Sequence, residues 1–158
     1  MKLVRLHGKN AEGRCALVED GDYAQLRKFK WYVGKNGYCY ARKQSSNVET
    51  HYYMHRVVMQ APSGTLVDHI NRNPLDNRRV NLRLCSFKQN NTNGSAYNKH
   101  SRYKGVRYRY GRWYARITVN HVGYHLGSFA TEQDAAIAYN QAALKHFGEF
   151  AGLNVVPA

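Results

Sequence analysis

The chain is short of the features that define several protein classes. Its three cysteines, Cys15, Cys39 and Cys85, are odd in number and stand far apart. They show no paired spacing, so neither a disulfide framework nor a zinc knuckle is expected, and a reducing cytoplasm is the natural compartment. No stretch approaches a membrane-spanning apolar run, and Met1-Lys2-Leu3-Val4-Arg5-Leu6-His7 leads into Gly8, Lys9 and Asn10 without an apolar segment behind it. Export and membrane insertion are therefore not expected. Acidic residues are scarce, 10 against 24 lysines and arginines, a formal net charge of +14. An excess of that size suits a polyanionic partner when the cations cluster on one face, with a generally solvated or ribosome-associated chain as the plainer alternative.

Against that background a compact set of polar groups stands out. Asp68 and His69 are adjacent in Leu66-Val67-Asp68-His69-Ile70-Asn71, Asn81 follows twelve positions after the histidine, and Asn90 nine further on. Phosphodiester cleavage needs a divalent cation near the phosphate, a base for water, and polar groups that hold both. The Asp68 carboxylate and the Asn90 amide are hard oxygen donors suited to Mg²⁺ or Mn²⁺. His69, with an ordinary pKa of about 6.5, can accept a proton near neutrality. Residues 65–70 alternate as a strand, which sends Asp68 and His69 to opposite faces. Asn71-Arg72-Asn73-Pro74-Leu75-Asp76-Asn77 is turn chemistry, residues 81–85 alternate again, and Ser86 is suited to cap a short helix through Asn93 that carries Asn90. The bland alternative is that these asparagines are turn and cap residues and that His69 merely pairs with Asp68.

Val67-Asp68-His69-Ile70-Asn71 followed by Leu75-Asp76-Asn77-Arg78-Arg79-Val80-Asn81-Leu82-Arg83 resembles the HNH nuclease motif, in particular its phage and intron homing-endonuclease branch. The resemblance implies two antiparallel strands and a helix around one metal ion. It makes Asp68 and Asn90 metal ligands and His69 the general base, while Asn81 orients His69 or braces the loop. Many members carry His where this chain has Asn90; an amide favours Mg²⁺ or Mn²⁺ over Zn²⁺.

Residues 1–63 read as a small strand-rich platform. Lys30-Trp31-Tyr32-Val33 and Tyr38-Cys39-Tyr40-Ala41 flank Gly34-Lys35-Asn36-Gly37, a hairpin in which Asn36-Gly37 is expected to supply positive φ angles. Segments ending in Met-His-Arg also precede the motif in that branch. His55 and Arg56 thus face the substrate or, the favoured alternative for His55, pack structurally. The tyrosines of this region are as well explained by strand propensity as by base stacking.

Residues 91–101 are polar and aperiodic, and a hinge-like linker is placed at 95–101. Beyond it, residues 103–109, 112–119 and 121–129 alternate as three strands, with Tyr110-Gly111 as a short turn. Thr131 then caps a helix whose Ala135, Ala136, Ala138, Ala142 and Ala143 permit close packing and which ends near Gly148. Tyr103-Lys104-Gly105-Val106-Arg107, Leu126-Gly127-Ser128-Phe129, Ala135-Ala136-Ile137-Ala138-Tyr139 and the ending Gly148 to Leu153-Asn154 resemble the APETALA2/ethylene-response-factor DNA-binding domain. That resemblance implies DNA contacts from Lys104, Arg107, Arg109, Arg112 and Arg116, with Thr118 and His125 as weaker candidates. Lys99 to Arg116 holds seven lysines and arginines and no carboxylate, which agrees.

The expected fold is α+β: a strand-rich platform with a ββα-metal motif over residues 1–94 (motif 64–94), then a three-stranded antiparallel sheet packed on one helix over residues 102–155. The expected function is a site-recognising, metal-dependent (Mg²⁺ or Mn²⁺) endonuclease on double-stranded DNA in the cytoplasm of a bacterium or phage-infected cell, with no membrane and no implied protein partner; one active site in a monomer makes nicking the simpler expectation, and a dimer would overturn it. A noncatalytic DNA-binding protein is the rival.

Overall fold

The computed structural model describes residues 1–45, 48–94 and 101–157. The chain divides into two compact units, Met1–Ser86 and Phe87–Ala158.

In the first unit, β1 (Lys2–His7), β2 (Cys15–Val18), β3 (Trp31–Val33), β4 (Cys39–Ser45) and β5 (Val48–Tyr53) form one sheet in the order β2-β1-β3-β4-β5. Its pairs are antiparallel except β1 with β3. Alternation decides the faces: Val4, Leu6, Trp31, Val33, Cys39 and Ala41 point into the core, while Arg5, Tyr32, Tyr40 and Arg42 stand on the other side. Helix α1 (Asp20–Leu26) closes one end of that core, and the buried Trp31 indole donates to the Leu26 carbonyl at 2.7 Å, satisfying a helix-terminal acceptor. Helix α2 (Met54–Met59) seals it with Met54 and Val58. Burial pushes the Cys39 thiol up to about 12, which makes it a packing residue and no nucleophile.

The turn between β3 and β4 differs from the sequence expectation. Only Gly37 takes a positive φ, +83°. Gly37 N–H donates to the Gly34 carbonyl and Gly34 N–H to that of Tyr38, both at 2.9 Å, while the Asn36 side chain accepts from the Tyr38 N–H. One left-handed glycine after an ordinary turn does the work assigned to an Asn-Gly pair. The second short sheet, β6 (Leu66–His69) with β7 (Leu82–Cys85), is antiparallel, and a 3₁₀ turn at Arg79–Asn81 leads into β7.

In the second unit, α3 (Phe87–Thr92) is followed by the meander β8 (Val106–Arg109), β9 (Arg112–Val119), β10 (Val122–Phe129) and the long helix α4 (Glu132–Phe147). Tyr110-Gly111 and Asn120-His121 both take positive φ at successive positions, the geometry of tight hairpin turns. Thr131 caps α4 by accepting from the Asp134 N–H at 3.1 Å. Ala135, Ala136 and Ala143 are fully buried, so the helix lies close on the sheet. Gly105, at φ +75°, lies where a Cβ would overlap the buried Tyr139 ring, which explains the glycine of the Tyr-Lys-Gly-Val-Arg segment. Asn154 ties the module together: its side chain accepts from Lys104 N–H at 2.6 Å and donates to the Lys104 carbonyl, while its backbone pairs with Asn140.

The unit boundary, at Ser86/Phe87, precedes the position 94 expected from composition. Helix α3 is tied to the second unit: Thr92 Oγ1 donates to the Phe150 carbonyl at 2.7 Å, and the Thr92 carbonyl accepts from Gly152 N–H and Lys104 Nζ. The linker and its hinge, placed at 95–101, fall outside the described residues except at Ser101. Among the described residues no helix is long and apolar enough to cross a membrane.

Candidate active site and nucleic-acid face

Strand pairing sets the first part of the site. The β6/β7 register places Asp68 opposite Arg83 and His69 opposite Leu82. Asp68 and Arg83 form a buried ion pair, with Arg83 Nη2 at 2.6 Å and Nε at 2.9 Å from Asp68 Oδ2. Arg83 carries no role that its place in the motif alone reveals. The signal was present, since closing the 71–81 loop into an antiparallel pair puts Arg83 across from Asp68.

His69 is 4 % exposed. Its ring lies 5.7 Å from that of Tyr38 and 5.3 Å from that of His55, centroid to centroid, the latter edge-on. Burial pulls the His69 imidazole below its ordinary range; the Asn77 side chain and the charges of Asp68 and Asp76 oppose that shift. A neutral imidazole beside an anion is poised to accept a proton. Burial and the neighbouring His69 and Arg56 push His55 down to about 4. Tyr38, the third ring of this group, is raised by burial and by the Asp68 charge.

Asn81 had two possible roles, and its side chain is committed to the loop. Its amide donates to the Asp76 carbonyl at 2.7 Å and its oxygen accepts from the Asn71 N–H at 3.0 Å. Asp76 in turn holds Arg78 through both oxygens, at 2.7 and 2.6 Å, and accepts from Asn71 Nδ2 at 2.9 Å. Arg79 reaches back to Asp22 at 2.7 Å, and backbone bonds between Leu17 and both Leu75 and Asn77 pin the loop to β2. Arg56 is a brace as well, donating to the carbonyls of Thr65, Ala61 and Pro62 ahead of β6. Asn90 sits half-buried on α3 and belongs to the second unit, whereas Asp68 and His69 belong to the first. Among the described residues no three His, Cys, Asp or Glu side chains group as a cation site.

The burial of His55 and His69 makes stability pH-dependent. In the unfolded chain His55 titrates near 6.5, but in the fold near 4, so the unfolded state binds more protons between those values. Stability is fully present above about 6.5 and falls as pH drops toward 4, by roughly 3 kcal/mol for His55, with His69 acting in the same direction. Urea unfolding at a series of pH values checks this: the midpoint should fall across that window, and His55→Phe should flatten the fall. An unchanged slope in the variant would remove His55 as its source.

In the second unit, alternation along β8 and β9 turns Val106, Ala115 and Ile117 toward α4 and leaves Arg107, Arg109, Arg112, Arg116 and Thr118 exposed on the other face. Across strands, Arg107 is paired with Tyr114, Arg109 with Arg112 and His125 with Arg116. Several of these residues, with Gly105 and Tyr110, line a shallow depression of about 290 Å³. The three carboxylates of residues 87–158, Glu132, Asp134 and Glu149, lie on α4 or just after it. Two arginines directly opposite each other repel, a cost that an anion on that face would relieve. Lys104 differs from the other expected contacts: its ammonium is held by the Thr92 and Gly94 carbonyls at 2.6 and 2.8 Å, closing the end of α3.

The chain has relatives among known proteins that match both parts. The family model described as HNH endonuclease matches residues 52–92, the stretch from β5 through α3. Plant proteins match over shorter lengths. An AP2-like ethylene-responsive transcription factor of Arabidopsis thaliana is 45 % identical over 60 residues, 35 % of this chain and 10 % of its own length. A dehydration-responsive element-binding protein of Oryza sativa is 42 % identical over 65 residues, 39 % of this chain and 20 % of its own. A match of wider extent is an uncharacterised HNH endonuclease of Acanthamoeba polyphaga mimivirus, 33 % identical over 148 residues, 92 % of this chain and 77 % of the relative. That likeness runs through nearly the whole chain and includes the strand that carries Asp68 and His69, so the chain belongs to the HNH endonuclease family.

Proposed function

We propose that the protein is a divalent-metal-dependent DNA endonuclease of the homing type, nicking one strand per active site. The observation that carries this is the buried His69 imidazole, depressed below its ordinary pKa and adjacent to the Asp68 carboxylate. His69 takes the proton from the attacking water. The water oxygen bonds to phosphorus as the bond to the 3′ oxygen breaks, and the departing 3′ oxygen takes a proton from solvent, leaving 5′ phosphate and 3′ hydroxyl ends. Asn81 and Asp76 keep the loop after His69 in place, and Tyr38 and His55 hold the ring from moving.

Asp68 is the residue of the first unit that would hold Mg²⁺ or Mn²⁺, and Asn90, on α3 of the second unit, is the other oxygen donor that the motif supplies. One carboxylate and one amide oxygen fit such ions, which keep water and substrate phosphate as their other ligands. When bound, the ion offsets charge on the phosphate and on the leaving oxygen. A carboxylate carries about four lone-pair sites, so a guanidinium on Oδ2 does not exhaust Asp68 as a donor.

The outer face of β8–β10, with Arg107, Arg109, Arg112, Arg116, Thr118 and His125, holds the duplex and supplies site recognition in the manner of an APETALA2-type domain. Arginine can bond both acceptors of guanine in one plane. Lys104 is left out of this set because its ammonium supports α3.

A second reading, a DNA-binding protein without cleavage, is favoured by one feature, the occupation of Asp68 by Arg83. Incubating the chain with its own flanking genomic duplex and Mg²⁺, and mapping ends on both strands, separates the two. A nick at a defined position, lost in excess chelator and restored by Mg²⁺ or Mn²⁺, is expected. Tight binding without any cut would favour the second reading, and undiminished cutting in chelator would remove the metal.

A further inference from the structure

The exposed face of the first unit's sheet carries a row of rings that neither the cleavage chemistry nor the β8–β10 surface uses. His7, Tyr32, Tyr40 and His51 lie on four neighbouring strands, with centroid spacings of 6.4, 5.8 and 5.0 Å from one to the next. Strand register brings them together: His7 is paired with Tyr32, Tyr32 with Tyr40, and Arg42 with His51. The Arg42 guanidinium lies over the Tyr32 ring at 4.6 Å and over Tyr40 at 5.8 Å, and Lys30 Nζ lies 5.9 Å from the centre of Tyr32. Toward one end this row meets the candidate active site. Tyr53, the register partner of Tyr40, stacks on His55 at 5.7 Å, and Tyr38, two residues before Tyr40, touches both His55 and His69.

We propose that this face binds unpaired nucleotides of the DNA strand adjoining the bond cleaved beside His69, by stacking bases on Tyr32, Tyr40 and the Arg42 plane. The proposal rests on the nuclease reading for its placement, but its chemistry is separate.

The composition of the face favours bases over duplex phosphates. Glu49, 3.5 Å from Arg42 and 3.0 Å from His51, offsets part of its cationic set. A duplex offers such a face phosphates and groove edges but keeps its bases stacked inside, so the rings would lack partners. An unpaired strand offers each ring a base, and interleaved rings and cations are the pattern that holds single strands. The row from Tyr38 through Tyr40 to Arg42 runs about 13 Å along the strand direction at the usual rise, room for a few nucleotides leading away from His69.

The test measures binding in excess chelator, so it does not depend on cleavage. Fluorescence anisotropy with a labelled oligothymidylate of about twelve nucleotides and with a duplex of equal length is compared for the full chain, Tyr32→Ala/Tyr40→Ala and Tyr32→Phe/Tyr40→Phe. The alanine pair should lose about tenfold or more in single-strand affinity, with duplex affinity nearly unchanged, and the phenylalanine pair should retain both. Unchanged single-strand binding in the alanine pair, or an equal loss on duplex, overturns the proposal. Should circular dichroism show the alanine pair unfolded, photo-cross-linking of the wild-type chain to an iodouracil-bearing single strand decides: adducts at Tyr32 or Tyr40 support it, and adducts confined to residues after Ser86 overturn it. A chain that cleaves normally but fails these tests loses this inference alone, and one that binds single strands but never cuts loses the nuclease reading alone.

Discussion

His69→Ala is expected to slow single-turnover cleavage by about 10²- to 10⁴-fold, the usual cost of losing a general base, while duplex affinity stays within about twofold. His69 ends β6, is 4 % exposed, and is flanked by the rings of Tyr38 and His55, so its orientation is held before substrate arrives. Its pKa lies below the ordinary value because burial disfavours the imidazolium, and the neutral form is the one that accepts a proton. The acid limb of the rate profile should therefore fall below about 6.5. The duplex contacts assigned to β8–β10 lie in the other unit, which is why affinity should survive. A variant that cut at the normal rate would show that another group is the base.

Arg83→Met is expected to destabilise the fold by about 3–5 kcal/mol, because it leaves the Asp68 carboxylate buried without its guanidinium. Replacing both partners, as Asp68→Val/Arg83→Met, should recover much of that stability, since apolar groups across a strand pair need no desolvated charge. Cleavage should be absent in the double variant, because the carboxylate is missing. This separates the ion-pair role of Asp68 from its proposed role as an oxygen donor for a cation. Urea midpoints for the single and double variants give the first role and end-mapping gives the second. If Arg83→Met unfolds at the wild-type midpoint, the pair does not brace β6 against β7; if the double variant cleaves, Asp68 is no ligand.

Much of this was legible along the chain. The alternation of Arg107, Arg109, Arg112 and Arg116 with Val106, Ala115 and Ile117 gives the β8–β9 face, because side chains in a strand repeat every two residues. Thr131 with Asp134 marks the start of α4, since an N-cap acts within its own turn. The hairpin at 34–37 was located correctly but its turn was not, because Asn-Gly fits more than one turn type and the choice rests on bonds to Tyr38.

What sequence spacing could not supply was partnership. Asp68, His69, Asn81 and Asn90 mark the motif by their positions alone, and the basic excess suits the proposed polyanionic ligand. Only folding put Arg83 across from Asp68, committed Asn81 to the loop, drew the Lys104 ammonium onto the end of α3, and assigned α3 to the second unit. It also gathered His7, Tyr32, Tyr40 and His51, distant in the chain, into one row. The physical reason is range. Periodicity, caps and turn chemistry are interactions between residues a few positions apart, so the chain states them directly; the partner of a charge or a ring is set by strand register and packing between segments tens of residues apart, which exist only in the folded molecule.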